Sequence, residues 1–128
     1  MSDDGFSPIF IVGCQRSGTT ALAVMFDRHS EIAMLPETGF FSRFAREDGS
    51  AGGAVDRESL VARALASPEI APVQVEIAEV LRRLGDASPS YPNLFRAIAE
   101  AYTAKHGKRR PAEKSCNHLF EVPRILEA

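Results

Sequence analysis

Pro8-Ile9-Phe10-Ile11-Val12-Gly13-Cys14-Gln15-Arg16-Ser17-Gly18-Thr19-Thr20 is the stretch on which the fold turns. Its first half is a continuous apolar run rich in Ile, Phe and Val that stops at Gly13. Such a run fits a short strand buried on both faces, as strands of a parallel sheet are. From Thr19 a helical pattern takes over, with Ala21, Leu22, Met25 and Phe26 expected on its buried face and an end near His29-Ser30. Between strand and helix lies a polar loop. Against the phosphate-loop pattern G-x4-G-K-[ST], Gly13 and Gly18 have the right spacing and Thr20 fills the last position, while Thr19 stands where the pattern has Lys. Glycines let the backbone curl so that N–H groups point inward, and the N-terminus of the following helix adds partial positive charge. The loop is built for a phosphate-like anion. With no Lys in the loop, the nearest cation is Arg16, whose planar fork suits a tetrahedral oxyanion. That points away from Mg-ATP, whose outer phosphates the missing Lys would reach.

Downstream, residues 31–35 are predicted as a second extended segment, stopped by Pro36. Phe40, Phe41 and Phe44 follow at helical spacing and read as core. Residues 47–56, with Gly49, Ser50, Gly52 and Gly53, read as a flexible loop. Three helices are then expected: 57–66 with Asp56 as N-cap, 73–84 stopped by Gly85, and 92–106 with Pro92 in the first turn and Gly107 as the stop. Residues 111–115 read as a third strand and 117–127 as a last helix. Lys108-Arg109-Arg110 reads as a solvated loop. About five helices thus accompany two or three short strands, whereas an open α/β sheet usually has about four or more. The fold class is α/β, a phosphate-loop-like parallel sheet flanked by helices, helix-rich and incomplete. Residues 1–128 are read as one N-terminal portion of a larger domain, with a self-sufficient small helical domain as the competing reading.

Composition narrows the function classes. The chain has 128 residues, 45% apolar and 25% charged, the proportions of one ordinary soluble domain. With 15 Lys+Arg against 17 Asp+Glu it lacks the positive excess of a nucleic-acid binder. The Pro8–Val12 run is far short of the roughly 20 residues of a membrane span, and Met1-Ser2-Asp3-Asp4-Gly5 has no positive n-region of a signal peptide. A cytoplasmic location is the expectation. Cys14 and Cys116 read as reduced thiols, and neither they nor His29, His106 and His118 have metal-ligand spacing, so no metal is expected.

The residues 9–22 resemble the 5′-phosphosulfate-binding loop of the sulfotransferase family, whose members use 3′-phosphoadenosine 5′-phosphosulfate (PAPS) and commonly show a Lys/Arg-Ser-Gly-Thr-Thr core after a hydrophobic strand. Further blocks match in order. Arg28-His29-Ser30-Glu31-Ile32 resembles the family's R-H-P-x-I step. Leu35-Pro36-Glu37-Thr38-Gly39-Phe40-Phe41 resembles the segment that supplies a catalytic carboxylate in the bacterial, Golgi and tyrosylprotein branches. Glu113-Lys114-Ser115-Cys116-Asn117-His118-Leu119 with Val122-Pro123-Arg124-Ile125 resembles E-K-[ST]-P-x-H-L…L-P-x-I. Ser30 and Cys116 stand where the family usually has Pro.

The resemblance implies a PAPS-dependent enzyme that moves a sulfuryl group to an acceptor hydroxyl on a small molecule, lipid or carbohydrate, without a metal. It implies that Gln15, Arg16, Ser17, Gly18, Thr19 and Thr20 hold the donor's 5′-phosphate, that Arg16 neutralises charge on the bridging oxygen, that Glu37 is the general base and that Lys114 faces the transferring group. Partial burial of Glu37 near Phe40 and Phe41 would raise its pKa toward the operating pH. The Arg and Ser that hold the 3′-phosphate in the family belong beyond residue 128. His29 is read as a capping or packing residue. The alternatives are a phosphate-loop kinase or NTPase and a non-catalytic nucleotide-binding remnant.

Overall fold

The computed structural model describes residues 5–49 and 56–127. Three short strands form one parallel sheet: β1 (Ile9–Ile11), β2 (Ile32–Met34) and β3 (Arg110–Lys114), in the order β1-β3-β2. Ile9 lies opposite Ala112 and Ile11 opposite Lys114, while Ile32 lies opposite Arg110 and Met34 opposite Ala112. β3 is therefore central despite Pro111. The backbone N–H of Arg110 bonds to Glu31 on the β2 side, so the nitrogen of Pro111 faces the β1 side. β1 joins the ladder only at Ala112, one residue later, and no donor is missed.

Six α-helices surround the sheet among the described residues: α1 (Thr19–Asp27), α2 (Ala45–Asp48), α3 (Arg57–Ala66), α4 (Ile77–Leu84), α5 (Tyr91–Lys105) and α6 (Val122–Ile125). The crossover from β1 to β2 passes over β3 in one direction, and the return from β2 to β3 runs in the other. Right-handed connections then place α1 and α5 on opposite faces of the sheet. The α5 face carries the main core, in which Leu60 and Val61 of α3, Val80 and Leu84 of α4, and Leu94, Phe95 and Ile98 of α5 are all buried. Phe40 and Phe41, in a π-helical turn that leads into α2, stack edge-on at 5.0 Å, and Phe10 of β1 reaches Phe95 at 5.2 Å. No helix among the described residues is long and apolar enough to cross a membrane.

Four expected boundaries or faces change. Most of the predicted buried face of α1 is solvent-facing: Leu22 is 42% and Met25 69% exposed and Ala21 is exposed too, while Phe26 is half-buried as expected. The face turned to the sheet is Thr19, Ala23 and Phe26, an i, i+4, i+7 set. Thr19-Thr-Ala-Leu-Ala-Val-Met-Phe26 is apolar nearly all round, so periodicity alone cannot choose. The helix predicted over 73–84 starts at Ile77. Ala71–Val73 is a 3-10 turn, and Gln74 at φ 54° interrupts the helical path. The helix predicted over 117–127 splits into a 3-10 stretch, Cys116–Glu121, and α6, because Pro123 fits only a first turn. Of the predicted loop 47–56, Glu47 and Asp48 complete α2 and Gly49 caps it at φ 59°, while Ser50, Gly52 and Gly53 lie outside the described residues. Asp56 caps α3 as expected, accepting from the Ser59 N–H at 3.0 Å.

Candidate active site

The loop from Gly13 to Gly18 leaves β1 at the carboxyl end of the sheet, where parallel α/β folds bind their ligands. Gly13 packs against it closely: a Cβ there would stand 3.1 Å from Ser17 Oγ and 3.3 Å from Thr19 Cγ2. Ser17 Oγ donates to the Cys14 carbonyl at 2.6 Å and closes the turn. Arg16 (φ 62°) and Gly18 (φ 90°) are both left-handed. For Gly18 this is free, but for Arg16 it costs roughly 1–2 kcal/mol. α1 begins directly afterwards with no side-chain cap and no acidic residue in its first turn. Its first N–H groups and its dipole are therefore available to an anion.

The structure divides the predicted donor set. Gln15, Arg16, Ser17, Gly18 and Thr20 are exposed, whereas Thr19 is buried with Oγ1 3.5 Å from Cys116 Sγ. Thr19 thus ties the loop to the end of β3, and Arg16 has no ion-pair partner among the described residues.

The second wall comes from residues 35–39, an irregular segment after β2, and from the end of β3. Side chains alternate along a strand, so Glu113 and Lys114 point to opposite sides. Lys114 Nζ donates to Glu37 Oε2 at 2.9 Å, with the Lys side chain 13% and the Glu side chain 55% exposed. That hydrogen bond holds the Lys114 ammonium above its ordinary pKa, against partial desolvation. Glu37 is not the partly buried residue that was expected: Phe40 and Phe41 turn into the core and leave its carboxylate half in solvent. Residues 35–39, which carry it, have no regular structure.

On the buried side, Glu113 organises the segment that carries Glu37. Its Oε1 accepts from the Thr38 N–H at 3.1 Å and from Thr38 Oγ1 at 3.0 Å, and also from Ser115 Oγ. Ser115 Oγ in turn accepts from the Gly39 N–H at 3.0 Å. Glu113 Oε2 and His118 Nδ1 stand 2.9 Å apart and have only each other. His118 Nε2 accepts from the Phe41 N–H at 3.1 Å, so Nδ1 is the ring nitrogen that carries the proton toward Glu113. Burial alone would raise the Glu113 pKa, but the hydrogen bonds from His118, Ser115 and Thr38 outweigh it and hold the carboxyl below its ordinary value. The backbone N–H groups of Thr38, Gly39 and Phe41 and the Thr38 hydroxyl are fixed by this one carboxylate and its two neighbours. Sequence reasoning singled out Lys114 in this block and missed Glu113, Ser115 and His118. The signal was present in the strand alternation, which sends a Glu next to a site-facing Lys into the interior.

Both walls open onto one cleft of about 470 Å3, with Gln15, Glu37, Thr38, Ser115 and Cys116 on its near side. The structure thus brings Gln15 of the loop and Glu37 to one space and holds Lys114 on Glu37. Arg16 does not line it. The remaining singled-out residues are structural. His29 is exposed and its Nδ1 accepts from the Glu31 N–H at 3.1 Å, a capping contact. Lys108, Arg109 and Arg110 are spent on the Asp27 carbonyl, Glu31 and the Ser7 carbonyl. Among the described residues no group of three or more His, Cys, Asp or Glu side chains is placed to hold a metal ion.

The model of the sulfotransferase family matches residues 8–128. No curated protein and no solved structure matches the chain.

Proposed function

The chain belongs to the sulfotransferase family, and from that premise we propose that it transfers a sulfuryl group from PAPS to an acceptor hydroxyl. The observation that carries this reading is the meeting of two features at the sheet's carboxyl end. One is an anion loop with an uncapped helix N-terminus, whose Gln15 lines the cleft, and the other is Glu37, which lines the same cleft and is held by Lys114. In the step proposed, the acceptor oxygen forms a bond to sulfur as the bond from sulfur to the 5′-phosphate oxygen breaks. Glu37 takes the acceptor proton, and adenosine 3′,5′-bisphosphate leaves. Such transfers need in-line positioning and charge stabilisation. The backbone of residues 15–20 would hold the 5′-phosphate, with Arg16 at the oxygen where charge builds. Lys114 orients Glu37 through their hydrogen bond while it waits for the proton. The free thiols Cys14 and Cys116 fit a cytoplasmic setting.

Two experiments test the reading. Calorimetric titration should show that adenosine 3′,5′-bisphosphate binds, and a preference for it over ADP would place 3′-phosphate recognition within these residues. Equal binding would remove the 3′-phosphate from what these residues recognise, and a need for Mg-ATP in turnover would favour a phosphate-loop kinase. Glu37→Gln keeps the shape and the contact with Lys114 but removes the base, so turnover should fall by about 10²–10⁴-fold with little change in donor affinity. Unchanged turnover would take the base role away from Glu37.

A further inference from the structure

The makeup of the cleft identifies the kind of acceptor, on the premise that the sulfotransferase reading holds. Among the described residues, not one aromatic or aliphatic side chain lines it. Ser42, Arg43, Glu47, Glu69 and Asn117, all able to hydrogen-bond, are among the residues that line it. Arg43 Nη1 stands 2.9 Å from Glu69 Oε1, and Glu37 is held by Lys114, so those charges are balanced within the protein. Glu47 is exposed and has no ion-pair partner among the described residues, which leaves the cleft one negative charge in excess. Sites for apolar ligands are lined mostly by hydrophobic and aromatic groups, and this one has none. An apolar hollow of about 310 Å3 does exist between α1 and β2, lined by Ala23, Val24, Met34 and Leu35, but Glu37 is not part of it. A hydroxyl bound there would not meet the base. An anionic acceptor, such as an already sulfated glycan or an acidic peptide, would have to approach Glu47 against like charge.

We propose that the acceptor is a hydroxyl-rich molecule without negative charge, an amino sugar or amino oligosaccharide, whose hydroxyls bond to Ser42, Asn117 and the Arg43–Glu69 pair and whose ammonium lies beside Glu47. The volume of the cleft is in the range of small-molecule sites.

At 13.9 kDa the chain suits amide-resolved NMR titration, which reads the two halves of the site separately. The probes are a disaccharide with free amines, its neutral counterpart, a sulfated disaccharide and 4-nitrophenol, each with and without adenosine 3′,5′-bisphosphate. The amino disaccharide should shift the amides of Ser42, Glu47 and Asn117, and the neutral one should do so about threefold more weakly, the usual strength of an exposed charge contact. Glu47→Gln should bring the amino compound to the level of the neutral one. The sulfated disaccharide and the phenol should leave those amides unmoved. Stronger shifts there with either of them, or none with the two unsulfated sugars at millimolar concentration, would overturn the proposal. The nucleotide is read at Gly18, Thr19 and Thr20 instead. Nucleotide shifts without sugar shifts would defeat the acceptor assignment alone, and sugar shifts without nucleotide shifts would defeat the sulfotransferase reading and leave a saccharide site.

Discussion

Glu113→Ala is expected to cost about 3–5 kcal/mol of folding stability, read as a shift of the urea unfolding midpoint at neutral pH. The size follows from what the deletion strands. Thr38 loses the partner of both its N–H and its hydroxyl, Ser115 loses one, and His118 Nδ1 loses the only one it has. Each buried group left unpaired costs about 1–3 kcal/mol, and breaking a buried hydrogen-bonded pair costs about 3–5 kcal/mol as a whole. Glu113→Gln is the milder control. It keeps an acceptor for Thr38, but its amide must turn an N–H toward His118 Nδ1–H, and the ring cannot switch tautomer without losing the Phe41 N–H. A loss of about 2 kcal/mol is expected. The pH dependence gives a second handle. A carboxyl whose folded pKa is depressed contributes stability that is present above its unfolded value, about 4.3, and is lost as pH falls through the folded value. Wild type should therefore weaken faster than Glu113→Gln as pH falls below about 4. If Glu113→Ala cost under 1 kcal/mol, the carboxylate would not be what fixes the Glu37 segment.

How far such features could be read from the chain depends on the distance over which they act. The first strand, the loop and the start of α1 are legible because each rests on a local cause: β-branched residues in a run, glycines at a fixed spacing, a hydroxyl-rich turn. Asp56 and Pro92 mark their helices for the same reason, since a cap or a first-turn proline acts within a few residues. The buried face of α1 was not legible. Ala, Leu, Val and Met surround most of that helix, and which side is covered depends on a sheet assembled from strands about a hundred residues apart in the chain. Glu37 and Lys114 could be named singly, but their contact spans 77 positions. Glu113 and His118 were hidden by their chemistry: a Glu and a His in a short polar block suggest surface or catalysis, whereas strand alternation sends Glu113 inside and the 3-10 stretch after β3 buries His118 beside it. The midpoint of the chain misled through φ angles, because nothing in Gln74 announces a left-handed residue.

Arg16→Ala should lower turnover by about 10²–10³-fold while leaving the fold intact, and Arg16→Gly separates the causes. Arg16 occupies left-handed backbone in which Gly is preferred, between glycines that the loop already uses. Strain of this kind persists where the surrounding structure holds it, and it clusters at functional sites. Here it fixes the starting direction of an exposed guanidinium beside an uncapped helix N-terminus, with no carboxylate paired to it among the described residues. Arg16→Gly removes the strain and the cation together, so the variant should be about 1 kcal/mol more stable in urea and as inactive as Arg16→Ala. Arg16→Lys keeps the charge but not the planar fork, and should recover only part of the rate. Loss of a group that stabilises charge only at the transition state lowers kcat and kcat/KM alike, whereas loss of ground-state donor binding raises KM at constant kcat. A stabilised, inactive Arg16→Gly with kcat and kcat/KM reduced together is the expected pattern. Full activity in Arg16→Gly would show that the left-handed turn is needed for its backbone alone, and that the charge on the leaving oxygen is met elsewhere.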